Sequence, residues 1–567
     1  MSEQLAVHDG TVPRRSGWRQ LDHYPAAGPR YGYLGLVVVV TIVLYYQQYV
    51  GGAVGPSVLA HFQMSFRFYL TVIVVSNGMG AVASLVAGIG DRVGRANIAV
   101  GGLLVAGLIT AFAIPAASSA LQYAVLVSIV GFVEGLVLVA TPALVRDFSA
   151  QSGRGRAMGL WTMGPVVGSL VVSEVASHTL DHLHAWQDQF HIAGATALVV
   201  GVAAFFFLRE LAPEFRDQLV VSARERALVE ARARGIDVAA AVRHPWRQMV
   251  GMDIVLPAIG VSLFLLIYYA AVAFFVIYFT TVFGFSEARA NSLGNWFWAA
   301  DAVTVVVVGA VSDRIGVRKP IVVAGALAGI VMTSIFATRA TDPATSYGTF
   351  VVVISLLSVS RATAYAPWMA AFTETIERRN PALVATGLAI WGWVLRVVVL
   401  MSFLVLPAAV SSVTPIADYA PRLQAIEARY GPEVATLQAI DPSVRAALRV
   451  APSAAVVSQA TAEIARHLQI STSAALGRLL AVRNVPAADR DYLAAHGSAV
   501  LAARRAAPRQ WQRWWWVCVA GEVAFLPTVL LLAGRWRPAS ARRDAEAHLR
   551  RVEEALAGLE AAPALAD

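Results

Sequence analysis

Twelve stretches of this 567-residue chain are apolar over close to the roughly 20 residues that a helix rising ~1.5 Å per residue needs to cross a ~30 Å hydrocarbon core. They lie near 31–53, 68–90, 97–116, 120–143, 157–178 and 189–208, and again near 252–280, 288–311, 320–338, 347–371, 382–408 and 513–534. Backbone amides and carbonyls in hydrocarbon must be satisfied within the segment, so each run reads as a helix and the chain as an all-α polytopic membrane protein. Composition agrees, because a chain with 57% hydrophobic and only 14% charged residues has too little polar surface to cover a soluble globule.

The net charge of +9 does not indicate a nucleic-acid partner, since the arginines stand between apolar runs and not along one soluble face. Arg92, Arg95, Arg146, Arg154, Arg156, Arg314, Arg318, Lys319, Arg378 and Arg379 fall in alternate short loops, which marks those loops and both termini as cytoplasmic. Residues 1–30 lack a signal-peptide core and read as a cytoplasmic tail, and 535–567 as another, with Leu549, Val552, Leu556 and Leu559 at heptad-like spacing. The polar segment 209–251 reads as a cytoplasmic linker helix, in which Arg226, Glu230 and Arg234 have salt-bridge spacing. Residues 412–510 interrupt the second half as an extracytoplasmic helical insert, and Trp511, Trp514, Trp515 and Trp516 mark the return to the membrane interface. The single lysine, Lys319, among 45 basic residues suggests a GC-rich bacterial genome and hence a bacterial inner membrane. The lone Cys518 permits no internal disulfide and reads as packing.

The two sets of six spans repeat one another. The loop after the second span reads GIGDRVGRAN (88–97), and the loop after the eighth reads GAVSDRIGVRK (309–319). Asp91 and Asp313 each follow a tyrosine pair in the first span of their half, at 46 residues from Tyr45 and 45 from Tyr268. These loops resemble the signature of the major facilitator superfamily, Gly-x-x-x-Asp-Arg-x-Gly-Arg-Arg/Lys. The resemblance covers nearly all of the chain outside the insert and tails. It implies two pseudo-symmetric six-helix halves, 31–208 and 252–534, working by alternating access. It assigns Gly88, Asp91, Arg92, Gly94 and Arg95, and Gly309, Asp313, Arg314, Gly316, Arg318 and Lys319, to gating. On physical grounds the glycines allow close helix approach or a tight turn. The aspartate suits a helix N-terminus, and the arginines suit helix carbonyls or lipid phosphates. Both copies are slightly degenerate, with Ala87 and Ala96 in the first and Val317 in the second. Gly164, Pro165 and Gly168 resemble the helix-bending element of the family's proton-coupled exporters, with Ser169 where a second glycine is usual.

Ionisable residues at bilayer depth are functional candidates. Asp301 stands twelve residues, ~18 Å, from Asp313, and Glu134 and Arg361 occupy nearly equivalent repeat positions, so that they are expected to oppose each other across a central cavity. Burial disfavours an ionised carboxyl and a nearby arginine favours it, which is the balance a proton carrier requires. Asp301 has no arginine three or four residues away in its own helix and is the first choice of carrier, with Glu134 the alternative. A structural Glu134–Arg361 ion pair is the competing reading. Arg361 and Arg396 suit a carboxylate or phosphate substrate, with Tyr45 and Tyr268 lining the site, while Glu174 and Glu522 read as structural.

No Walker loop, zinc spacing or nucleophile motif occurs, so neither an enzyme nor an ATP-driven pump is expected, and no cofactor or metal. The first reading is uptake of a small organic anion with protons, by a monomer in contact with membrane lipids. Proton-driven export of amphiphilic compounds is the second, and a receptor using the insert is a third.

Overall fold

A computed structural model describes residues 19–85, 94–149, 160–212, 245–380 and 383–540, together with 543, 547 and 550. Among them, twelve helices are long and apolar enough to cross a membrane: Ala27–Ala53, Phe66–Ala83, Arg95–Ala113, Ala120–Phe148, Leu160–Thr179, Trp186–Phe207, Met252–Phe283, Glu287–Ile315, Lys319–Arg339, Tyr347–Arg379, Thr386–Ala409 and Ala487–Leu531. These are numbered here as spans one to twelve. Their starts follow local rules: Ser119, Ser286 and Ser346 cap spans four, eight and ten by accepting a backbone N–H three residues on. Gly284 and Gly316 end spans seven and eight in left-handed conformation, where a Cβ would cost energy.

With lipid on one side and protein on the other, helix contacts here rest on close approach more than on apolar burial. Spans two and four meet backbone to backbone: a Cβ on Gly131 would lie 2.6 Å from the Ser76 carbonyl, and one on Gly80 3.0 Å from the Gly131 carbonyl. Gly521 of span twelve sits on the Leu263 carbonyl of span seven in the same way. Between the halves, span five packs on span eight, span one on span seven, and span two on span eleven.

The insert comprises helices Val413–Gln438, Pro442–Val450, Ala454–Leu468 and Thr472–Ala481, with a small core of its own built on Ile440, Val444, Ala460, Ile464 and Ala475. The first of these kinks at Tyr430, ahead of Gly431 and Pro432, whose ring cannot continue a straight helix. The insert does not end before span twelve begins. One helix, Ala487–Thr528, carries the chain from the insert through the bilayer, continuous through Pro508 and Pro527. Trp511, Trp514 and Trp515 are buried, Trp511 against Tyr278 and Trp515 against Phe275, Tyr278 and Phe336, and of the four only Trp516 is exposed.

The segment after span six does not begin as a helix. Glu210–Leu211 forms a short parallel strand pair with Gln20–Leu21, tying the N-terminal segment to the end of the first six spans. Arg19 is buried there, its Nη1 donating to Asn97 Oδ1 (3.3 Å) and its guanidinium lying over Phe205, and desolvation lowers its pKa. Most of the expected linker helix, with Arg226, Glu230 and Arg234, and the C-terminal tail leucine and valine stripe lie outside the described residues.

The contact between spans two and four yields a direct test. Gly135→Val forces a branched side chain onto the Gly80 backbone and should lower stability by about 1–3 kcal/mol, read as a fall in the thermal unfolding midpoint of the purified protein. Gly392→Ala, where a Cβ meets nothing within 4 Å, should leave the midpoint unchanged. Equal midpoints for Gly135→Val and wild type would remove this packing argument.

Candidate functional site

The interior of the second half is fixed by one ion pair. Arg361 of span ten donates through Nη2 to Asp301 Oδ1 of span eight, and both side chains are almost fully buried. Ser358 Oγ, which donates to the Phe297 carbonyl at 2.7 Å, also reaches Asp301 Oδ1 at 3.4 Å. The guanidinium lies over the Tyr268 ring, 4.7 Å from its centroid, and Tyr268 meets Trp298 edge-on. Arg361 is thus engaged by Asp301 of its own half, and the competing Glu134–Arg361 ion pair is not formed. An arginine from a neighbouring helix, invisible to spacing along span eight, neutralises Asp301.

Glu134, on span four, has a different environment. It is buried, its Oε1 has no hydrogen-bond partner among the described residues, and it lies within electrostatic reach of Tyr45 and Tyr49 on span one. Glycines at 131 and 135 bring this turn of span four onto span two. Arg396, on span eleven, is exposed and lies within electrostatic reach of Tyr45 and Tyr269, with no ion-pair partner among the described residues. Tyr45 is held in place by the glycine-proline element: a Cβ on Gly168 would come within 2.6 Å of Tyr45 Cβ, and Gly164 faces Thr41. Span five is helical over 160–162, interrupted at Met163 and helical again over Gly164–Thr179, so Gly164 and Pro165 stand at the break in the span while Gly164 and Gly168 pack it closely on span one. Both side-chain atoms of Gln47 and the hydroxyl of Tyr46 are buried without partners among the described residues, so polar groups stand ready for water or ligand.

The motif loops have unequal visibility. Gly88, Asp91 and Arg92 lie outside the described residues. Arg95 donates to both oxygens of Asp147 (2.8 and 2.9 Å), and Arg318 to Glu374 (3.2 Å), so each half ties its motif arginine to an acid at the end of its fourth span. Spacing along one loop could not reveal Asp147 and Glu374. The repeat could have, since Glu134 precedes Asp147, and Arg361 precedes Glu374, by thirteen residues. Asp313 does not face a helix N-terminus; it is 71% exposed and pairs with Arg318 of its own loop at 2.6 Å. In the first half Glu210 Oε2 accepts from Ala96 N (3.1 Å) in the first turn of span three, beside Gly94 at φ +99°. Gly309 meets nothing within 4 Å and is no close-contact site, whereas Gly316 makes the turn. Arg314 is exposed, and Lys319 Nζ donates to the Leu530 carbonyl (3.2 Å).

On the face that carries the insert, polar bonds join the two halves. Glu287 accepts from Ser57 N (2.7 Å) and Ser57 Oγ (2.9 Å). Asn291 donates to the Ala53 carbonyl (2.9 Å), and Asn295 to Ser177 Oγ (2.9 Å). The insert takes part: Asp418 accepts from Phe66 N (2.8 Å), capping the start of span two. Beneath these bonds a cavity of about 30 Å³ is lined by residues that include Tyr49, Ser169, Ser173, Asn291 and Trp298. Burial raises the Asp418 pKa above the ordinary aspartate range, opposed by the Phe66 N–H and the Arg67 charge.

The family model described as Major Facilitator Superfamily matches residues 36–399. A bacterial homologue of the human lysosomal transporter Spinster, solved inward-facing and unoccupied, shares 14% identity over 89% of this chain and 99% of its own, with a TM-score of 0.53. The E. coli xylose transporter XylE, partially occluded and inward open, shares 13% over 66% of this chain and 90% of its own, with a TM-score of 0.50. At these identities the likeness shows the fold alone. Among curated proteins, none matches the sequence.

Two tests follow from this geometry. Asp301→Asn leaves Arg361 charged and poorly matched in the interior and should destabilise the protein by about 3–5 kcal/mol, seen as poor recovery or a lowered thermal midpoint. The pair replacement Asp301→Leu with Arg361→Met should recover much of that loss, and a double variant as unstable as the single one would contradict the pairing. For Asp418, the latched carboxyl holds a proton more tightly than an exposed aspartate. Protonation therefore favours the latched arrangement, and the preference is lost as pH rises through the latched pKa. Spin labels at Ser118 and Ala344, with Cys518 replaced by serine, should report a shorter mean distance on acidification. Asp418→Asn should flatten that pH response relative to wild type, and an unchanged response would exclude Asp418 as its source.

Proposed function

Because the chain belongs to the Major Facilitator Superfamily, we propose that it is a proton-coupled secondary transporter that takes up small organic anions by alternating access. Glu134 is the proton carrier and Arg396 the substrate anchor. The observation that carries this reading is the contrast between the two central carboxyls: Asp301 is neutralised by Arg361, while Glu134 is buried with an unpartnered oxygen beside the tyrosines of span one. A carboxylate bonded to a buried arginine cannot take up a proton without leaving that arginine's charge unpaired in the interior. An unpaired one in a site that opens to water is the group able to gain and lose a proton.

Arg396 supports the anionic substrate class, since an exposed arginine without a carboxylate partner among the described residues offers its planar fork to a ligand. Tyr45 lies within electrostatic reach of both Glu134 and Arg396, with Tyr49 near the first and Tyr269 near the second, and these tyrosines supply aromatic and hydroxyl contacts. In this reading the arginine-bearing loops and both termini face the cytoplasm of a bacterial cell, the insert faces outward, and the protein works as a monomer. The bonds joining the halves on the insert face then form the outer gate, and the two motif loops latch the opposite conformation. The glycine-proline element, which packs span five on span one, keeps proton-driven export of amphiphilic compounds as the alternative reading.

The test is flux in proteoliposomes, using an organic anion selected by ligand-induced thermal stabilisation of the purified protein. Glu134→Gln should abolish accumulation driven by a pH gradient and preserve exchange between internal and external substrate. Arg396→Gln should weaken binding about ten- to a hundredfold, the loss of one charge-assisted contact, and Arg396→Lys should restore only part of it. Normal proton-driven accumulation by Glu134→Gln would eliminate Glu134 as carrier, and unchanged affinity in Arg396→Gln would eliminate the anchor.

A further inference from the structure

The helix Ala487–Thr528 passes from the insert into the bilayer without a break, so one face of it can be followed across the boundary. Within the membrane, Trp516, Ala520 and Val523 are exposed, while Trp511, Trp514, Trp515, Cys518, Glu522 and Phe525 are buried against the bundle. At ~100° per residue, Arg505, Arg509 and Arg513 fall within the same ~80° arc as Trp516, Ala520 and Val523. All three arginines are exposed. They stand directly above the strip of helix that meets lipid.

Their height is set by two bonds. Gln512 Nε2 donates to the carbonyl of Ala337 (3.2 Å), two residues before span nine ends at Arg339. Gln510 Oε1 accepts from Ser412 N (2.8 Å), three residues after span eleven ends at Ala409. Arg513 is therefore at the membrane boundary, with Arg509 and Arg505 ~6 and ~12 Å beyond it at 1.5 Å per residue. The headgroup layer is ~5–8 Å thick on each side, and flexible arginine stems extend the reach along the helix. The acids at the start of this helix are already engaged, Asp489 by Arg422 at 3.3 Å and Asp491 by Arg449. Among the described residues no carboxylate lies within ion-pairing distance of Arg505, Arg509 or Arg513.

We propose that Arg505, Arg509 and Arg513 form a binding stripe for the phosphate groups of anionic phospholipids in the leaflet on the insert side. A guanidinium fork matches a phosphate, and the apolar face immediately below accommodates the acyl chains of the same molecule. A soluble anion would satisfy the arginines and leave Trp516 and Val523 without their share of the contact. A zwitterionic headgroup carries its own cation and competes with the arginines for the phosphate. The stripe fixes the depth and rotation of span twelve, whose helix continues into the insert.

The experiment uses the purified full chain in detergent micelles doped with phosphatidylglycerol or phosphatidylcholine, with retained lipid counted by native mass spectrometry. Wild type should retain phosphatidylglycerol in preference to phosphatidylcholine. Each arginine removed should weaken that retention about fivefold, so that the triple change Arg505→Gln, Arg509→Gln and Arg513→Gln abolishes the preference. Arg504→Gln, exposed but off the arc, should retain wild-type preference. The thermal midpoint of the triple variant in phosphatidylcholine should equal that of wild type; should the triple variant fail to fold, Arg509→Gln compared with Arg504→Gln decides the matter. The proposal is overturned if the glutamine variants retain phosphatidylglycerol as wild type does, if phosphatidylcholine is held equally, or if millimolar inorganic phosphate displaces the bound lipid.

Discussion

Within hydrocarbon no backbone N–H or C=O can look to water, and that single constraint determines what the rest of this molecule can be. It makes every crossing a helix and takes the backbone out of the business of recognition. Selectivity in assembly then falls to a few positions where side chains vanish or where polar groups meet. Gly80, Gly131 and Gly135 let two helix backbones touch, and Gly164 and Gly168 do the same for Thr41 and Tyr45. Asp301 with Arg361, and Thr333 with Glu522 at 2.7 Å, supply polar contacts that lipid cannot imitate. Apolar residues fill the space between these points, and many face lipid, where their identity matters little.

Duplication places equivalent residues in equivalent settings, and the two halves have used them differently. Asp147 and Glu374 each hold the arginine of a motif loop, and thirteen residues earlier stand Glu134 and Arg361. One register position thus carries an acid in the first half and a base in the second. The base found an acid on span eight and became a fixed cross-link, while the acid has glycines around it and Tyr45 and Tyr49 within electrostatic reach. Rigid and adjustable interiors are built from the same plan by changing a single charge.

The class of fold was legible because hydropathy reports the local environment of each segment, and all twelve spans lie where the apolar runs lie. The repeat was legible because spacing survives where identity does not. Side-chain partners were not legible. Asp301 looks unpaired when only its own helix is considered, and its arginine lies sixty residues away in sequence on a neighbouring span. Span twelve was located but not its outward extension, because a charged helical segment carries no hydropathy signal and reads as part of the insert. The packing of Trp515 on Phe275 and Phe336 was not legible either, because an aromatic run at a boundary has the same composition whether it faces lipid headgroups or a phenylalanine core.

The insert follows from this same division of labour. A folded cap of four helices has little reason to stay fixed on a protein whose halves move unless it is tied to both. It is tied to the second half covalently and through the continuous helix of span twelve, and to the first half by a backbone cap, Asp418 on Phe66 N, and by packing of its first helix on residues 55–85. That cap is a single hydrogen bond to a charged group, worth roughly 1.5–3 kcal/mol at most. Its carboxyl is costly to keep ionised where it is buried. The contact is therefore weak enough to break in a cycle of opening, in contrast to the Asp301–Arg361 pair, whose rupture would strand a charge in the interior. The Asp301–Arg361 ion pair lies within one half, whereas the polar contacts named between the halves, Glu287 on Ser57, Asn291 on Ala53, Asn295 on Ser177 and Asp418 on Phe66, join no opposite charges, so their parting strands no unpaired charge of opposite sign.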